Sequence, residues 1–153
     1  MLKITLLTVG TIKEAYVSLG IQEFEKRLKP FVQLHIIELK ESTHLQSTLA
    51  LQEEGTSINK ALPKDAHVIV FAIEGKTMSS EGIAEALDAI PHHHSHVVFI
   101  IGGSHGVDAT VKKQAQALWS FSSLTFPHQL FRLLVLEQLY RGMSILAHHP
   151  YHK

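Results

Sequence analysis

The stretch that most constrains this chain is Val97–Gly106, VVFIIGGSHG. Five apolar residues, Val97, Val98, Phe99, Ile100 and Ile101, run without a break into Gly102-Gly103. Such a run of β-branched and aromatic residues suits a strand covered on both faces, as in the middle of a parallel sheet. The glycines then let the backbone turn sharply and let a ligand approach closely. Open α/β sheets bind their ligands outside the carboxyl ends of the strands, and this loop is such an end. Taken alone it has two readings, a ligand cradle and a tight strand-to-helix turn.

The rest of the chain alternates around that strand. Leu2–Val9, closed by Gly10, reads as a first strand. A helix is expected over Lys13–Leu28, with Ile12, Tyr16, Leu19, Phe24 and Leu28 on its apolar face and Pro30 as its stop. Phe31–Leu39 reads as a second strand, and Leu45–Leu62 as a helix with Leu45, Leu49, Ile58 and Leu62 as its apolar points. His67–Ile73 is a third, buried strand that ends in a turn at Glu74-Gly75-Lys76. Ser79 or Ser80 caps the next helix, which Pro91 ends. Asp108 opens a short helix over Ala109–Ala117, Leu118–Phe126 is a strand and a loop, and Pro127 starts a last helix, His128–Ala147. Five strands alternating with five helices in 153 residues predict a single α/β domain, 1–153, on a largely parallel sheet.

Several chemistries are excluded. The chain has no cysteine, so it has no disulfide and no thiol nucleophile. Ile101 stands where a dinucleotide fingerprint needs its first glycine, and there is no Walker A loop and no G-x-S-x-G elbow. Fourteen Lys and Arg balance fourteen Asp and Glu, so bulk charge does not announce a nucleic-acid partner. No apolar run approaches the roughly 18 residues that span a membrane, and the amino terminus reads as a strand rather than a signal peptide, so a cytoplasmic protein is expected. The cluster His92-His93-His94-Ser95-His96 reads as a polar surface loop without a metal. Adjacent histidines on a loop do not easily converge on one ion.

The last helix is apolar nearly all round: Leu130, Phe131, Leu133, Leu134, Val135, Leu136, Leu139, Tyr140, Met143, Ile145 and Leu146 leave little polar face. Such a helix in a small domain needs cover on more than one side, which predicts a homodimer. Glu137 and Arg141 are spaced for an i, i+4 ion pair. Arg132, Arg141, Lys153 and histidines 128, 148, 149 and 152 make this end locally basic, which suits phosphate contacts, and Tyr140 and Tyr151 are of the type that stacks on bases.

Together these residues resemble a known family. Ile101-Gly102-Gly103, Ser120–His128 (SFSSLTFPH), Arg132, Glu137, Leu139-Tyr140-Arg141 and the terminal His149-Pro150-Tyr151-His152-Lys153 are similar to the RlmH family, small SPOUT-class methyltransferases that modify a pseudouridine in large-subunit ribosomal RNA. The likeness extends to Lys3–Gly10 and Gly75-Lys76, and so covers essentially the whole chain. It implies a SPOUT-type parallel sheet flanked by helices, with a deep trefoil knot in the C-terminal third, a rare exception to the rules of chain connection. It implies S-adenosylmethionine as cofactor, held by Phe71, by Gly102 and Gly103, and by Phe121, Ser122, Ser123, Leu124, Thr125 and Phe126. Backbone groups of Ser122–Thr125 would bond the adenine, with Phe71 and Leu124 near its faces. It implies a homodimer whose C-terminal tail completes the partner's pocket.

The implied reaction methylates N3 of a pseudouridine in 23S rRNA, in the large subunit or the 70S ribosome, with no metal and no membrane. Candidates for proton handling or base placement are His128, Tyr151 and His152. Candidates for holding phosphate or the base anion are Arg132 and Arg141. The chain departs from the family pattern at Ala72, where many members carry an acid; Glu74 is the nearest carboxylate in sequence. A non-catalytic α/β module binding a nucleotide or RNA is the alternative from another class, and methyl transfer separates the two.

Overall fold

The computed structural model describes residues 1–153. Its elements run β1 (Leu2–Val9), α1 (Ala15–Leu28), β2 (Val32–Leu39), α2 (Ser47–Ala61), β3 (His67–Thr77), α3 (Ser80–Ala89), β4 (His96–Ile101), α4 (Ala109–Gln114), β5 (Ala117–Ser120) and α5 (His128–Leu146), with one 3-10 turn at Ile90–His92. All four strand pairings are parallel, and the order across the sheet is β2-β1-β4-β3-β5. The apolar strand β4 is the central one, as its composition requires.

Alternation along the strands divides the core into two layers. Val97, Phe99 and Ile101 of β4 join Ile4, Leu6, Ile69 and Phe71 on one face, under α1, α3 and α5. Val98 and Ile100 join Leu7, Val9, Val68 and Val70 on the other, under Ile58 of α2 and Val111 of α4. Ser79 caps α3, its side chain accepting from the Gly82 amide at 3.0 Å. Asp108 precedes α4 without capping it, because its carboxylate accepts from the Thr110 hydroxyl instead.

Three expectations about these elements need correction. The buried stripe of α1 is Val17, Ile21 and Leu28, whereas Tyr16 and Leu19 are 61% and 67% exposed. At roughly 100° per residue those two lie a quarter turn or more from the core stripe, so the apolar spacing merged two faces. On α2, Ala50, Glu54, Gly55 and Ile58 are buried and Leu49 is exposed, while Leu45 lies before the helix and is exposed as well. Glu74-Gly75-Lys76 is not a turn. Strand β3 continues through it to Thr77, with a register shift between Phe71 and Lys76 where it pairs with Trp119 of β5. Gly75 makes this possible, since a Cβ there would stand 2.7 Å from the Leu118 carbonyl carbon.

At the amino-terminal edge of the sheet, His96 Nε2 lies 2.9 Å from the Thr5 hydroxyl, and the rings of His67 and His94 are 5.1 Å apart. Burial pushes the pKa of both His67 and His96 down and favours their neutral forms. No three His, Asp or Glu side chains are grouped to hold a metal ion, and no helix is long and apolar enough to cross a membrane.

Candidate active site

The carboxyl ends of β3, β4 and β5 open onto one cavity of about 610 Å³, within the usual range for a small-molecule site. Its floor is the loop after β4. The chain turns there through Gly102-Gly103, with Gly106 N donating to Gly103 O at 3.0 Å. Gly106 has a φ of +84°, a conformation glycine adopts freely. Gly102 is required for space: a Cβ there would lie 2.2 Å from the Gly106 carbonyl oxygen.

One wall is aromatic. Phe71 at the end of the β3 core lies 5.1 Å from Phe121 and 5.2 Å from Phe131, ring centre to ring centre, both edge to face. Phe126 stacks on Phe131 at 6.0 Å. The remaining wall is the loop 121–126, whose backbone forms no hydrogen bond with other backbone. Side chains fix its shape instead. The Ser120 hydroxyl donates to Ser122 O, and the Leu124 amide donates to the Ser122 hydroxyl, each at 3.0 Å. Leu124 stands exposed at the mouth. Ser122 O and the Leu124 amide are thus taken, and the site offers a ligand its apolar faces and the remaining backbone donors and acceptors of 121–126.

Of the residues singled out by sequence, Phe71, Gly102, Gly103, Phe121, Ser122, Leu124, Thr125, Phe126 and His128 all line this cavity. Ser123 belongs to the same loop but is not among the lining residues. The cavity also takes in Ala72, the position where many members of the family carry an acid, and Ile73, Val107, Trp119 and Phe131, which sequence reasoning passed over as site residues. The expected strands His67–Ile73 and Leu118–Phe126 contain Ile73 and Trp119, Val107 follows the glycine loop, and Phe131 follows from its helical spacing, three residues after His128. Glu74, at the rim, pairs with Lys112 at 2.7 Å, and that pairing holds its pKa below the usual range.

Arg132 lies elsewhere. It is 1% exposed, with Nη1 donating to Glu38 and Nη2 to the Val9 carbonyl, each at 2.9 Å. Burial pushes its pKa down, and Glu38 opposes that shift. The guanidinium braces α5 against the ends of β1 and β2, so the structure gives it no access to phosphate from the cavity.

Arg141, Tyr151 and His152 form a third group at the far end of α5. Arg141 donates to Glu137 Oε1 from Nη2 at 2.6 Å and from Nε at 3.1 Å, and the Tyr151 hydroxyl donates to the same oxygen at 3.0 Å. The Arg141 guanidinium also lies 4.8 Å from the Tyr151 ring centre, and Tyr151 packs edge-on against Tyr140. Burial and the bond to Glu137 push the Tyr151 pKa up. His152 Nδ1 is 3.2 Å from Arg141 Nη1, and its Nε2 is 2.9 Å from Glu81. Since Arg141 only donates, Nδ1 is the acceptor in that contact and Nε2 donates to Glu81. Arg141 lies along α5 from His128 by about 20 Å, at 1.5 Å per residue. Within one chain the tail group and the cavity are therefore separate.

Comparison with known proteins decides the class. Residues 2–152 match the family model described as "Predicted SPOUT methyltransferase". The chain belongs to the SPOUT methyltransferase family. It is 40% identical to a ribosomal RNA large subunit methyltransferase H of Halothermothrix orenii, over 99% of this chain and 100% of that one. Proteins of the same name from Bifidobacterium adolescentis and Caldicellulosiruptor saccharolyticus are 45% identical (over 99% of this chain and 100% of theirs) and 43% identical (98% and 99%). The five-stranded parallel sheet flanked by helices agrees with a SPOUT fold. In this SPOUT methyltransferase the cavity at the strand ends combines apolar walls with free backbone groups.

Proposed function

We propose that this methyltransferase moves a methyl group from S-adenosylmethionine to N3 of a pseudouridine in 23S ribosomal RNA, acting in the cytoplasm on the large subunit or the 70S ribosome as a homodimer. The substrate class follows the relatives, whose name is ribosomal RNA large subunit methyltransferase H. The observation that carries the rest is the division of labour along α5, with a donor-sized cavity at one end and an Arg-Tyr-His group at the other. Two antiparallel copies of α5 would bring each cavity to the other chain's tail.

The cavity fits the donor. The backbone groups of 121–126 other than Ser122 O and Leu124 N are unpaired and suit an adenine edge, and Phe71 and Leu124 offer apolar contact for its faces. Gly102 leaves the floor open for close approach. Support for the dimer comes from surface left uncovered: Tyr16 and Leu19 on α1 are exposed, and Leu130, Leu133, Leu134 and Ile145 on α5 are only half-buried. The trefoil knot belongs to the same reading. Strand β5 lies beyond β3 from β4, and α5 then returns to the opposite face of the sheet from α4.

When bound, the donor supplies a methyl group already activated by the positive charge on its sulfur. The protein then has two tasks, alignment and removal of the N3 proton. Arg141, brought to the cavity from the partner's tail, stabilises the anion that forms as that proton leaves. The His152 ring, an acceptor at Nδ1, can take a proton there when Arg141 turns toward the base. Tyr151, tied to Glu137, stiffens the tail, and His128 faces the cavity from the first turn of α5.

A mixed dimer tests this reading. One chain carries Gly102→Ala and the other Arg141→Ala, each with its own tag. Both homodimers are expected to be inactive on ribosomes. The purified heterodimer, with one intact composite site of two, should recover about half the wild-type rate. A tail that served its own chain's cavity would leave the heterodimer inactive too.

A further inference from the structure

The connection between β2 and α2 carries a carboxylate that does not line the cavity. Glu41 Oε1 accepts from the Ser104 hydroxyl at 2.5 Å and from the Ser104 amide at 3.3 Å. Ser104 sits in the glycine loop that forms the cavity floor. A Cβ on Gly103 would stand 3.1 Å from that same Oε1, so the loop backbone rests directly on the carboxylate. Oε2 faces the other way, toward the end of β1: a Cβ on Gly10 would lie 3.7 Å from it and 3.5 Å from Arg132 Nη2. The bonds from Ser104 hold the Glu41 pKa below the usual range. Beside it Glu54 is 4% exposed, with Oε2 unpartnered, and burial pushes its pKa up. The two carboxyls under one loop are thus driven apart, with Glu41 as the ionised member.

The loop is anchored at its ends by buried Gly102 and Val107 and closed by a bridge between Gly103 and Gly106, and its tip has little else to hold it. Its own backbone bond is Gly106 N to Gly103 O, and Ser104, His105 and Gly106 are exposed. A glycine-rich loop of this kind samples many conformations. A ligand that needs one of them binds more weakly by the fraction of time that conformation is absent.

We propose that Glu41 is a positioning residue for the methyl-donor site, its carboxylate tying the glycine loop at Ser104 to the β2–α2 connection. The role rests on the reading of the cavity as the S-adenosylmethionine site. It acts on donor affinity and leaves the chemistry at saturating donor alone.

The test compares Glu41→Ala, Glu41→Gln and Ser104→Ala in the full-length protein. Three quantities are read: the Kd for S-adenosylmethionine by calorimetry, KM and kcat on ribosomes, and amide hydrogen exchange of residues 102–107 without ligand. Glu41→Ala is expected to raise Kd and donor KM about tenfold, the scale of one charge-assisted hydrogen bond. Its kcat should stay within about twofold, and the loop amides should exchange faster. Glu41→Gln keeps an oxygen facing Ser104 and should recover most of the affinity. Ser104→Ala leaves the β2–α2 connection intact and should shift the same quantities in the same direction by less. Unchanged Kd and exchange in Glu41→Ala overturn the proposal, as does a fall in kcat with donor affinity intact, or a Gln variant as weak as Ala. If the wild-type protein binds no donor, the assignment of the cavity falls; faster loop exchange in Glu41→Ala would then still show that Glu41 holds the loop.

Discussion

Gly102→Ala is expected to weaken S-adenosylmethionine binding by more than about a hundredfold and to abolish measurable methyl transfer. A factor of a hundred corresponds to about 2.7 kcal/mol, within reach of one overpacked methyl that forces backbone to move. The added Cβ would lie 2.2 Å from the Gly106 carbonyl oxygen, 2.5 Å from its carbon and 2.8 Å from a Val107 methyl. Two of those neighbours are backbone and cannot swing aside, so the turn itself must open. Both core layers lie in the sheet below this loop, and the variant should keep its secondary structure. Calorimetric titration with the donor, beside a thermal melt by circular dichroism, separates lost binding from lost fold. Donor affinity within threefold of wild type would show that the loop does not form the donor site.

Arg132→Ala is expected to destabilise the fold by about 3 kcal/mol, the lower end of the cost of breaking a buried ion pair. The lower end applies because Glu38 is itself 37% exposed and regains water when the guanidinium is gone. The Val9 carbonyl loses its buried donor as well, and a large side chain leaves a void between α5 and the ends of β1 and β2. Urea denaturation reads the loss directly. A phosphate-binding role would give a different signature, namely unchanged stability with a raised KM for the ribosome.

Arg132 also shows where sequence stops being informative. An arginine on an otherwise apolar helix is compatible with phosphate binding and with a buried brace. Only the arrival of Glu38 and Val9 at the ends of β2 and β1, 94 and 123 residues away in sequence, decides between them. The central strand was legible because Val97–Ile101 is apolar on both faces, which only an interior position tolerates. The glycine loop was legible as a strand end, and Phe71 and the 121–126 loop came from resemblance. Glu41 carried no signal at all, since its role depends on Ser104, 63 residues away. The exposed Tyr16 and Leu19 misled the reading of α1 because apolar spacing does not say which apolar stripe faces the chain's own sheet.

The central claim is methyl transfer to a ribosomal pseudouridine. It is tested most directly by incubating the protein and labelled S-adenosylmethionine with ribosomes from cells lacking the native enzyme, then digesting the RNA to nucleosides. Label is expected in N3-methylpseudouridine from 23S rRNA, with intact large subunits or 70S ribosomes favoured over deproteinised RNA, and it should be lost with Arg141→Ala. Unlabelled rRNA from a protein that binds the donor, or label on a nucleoside other than pseudouridine, would contradict it.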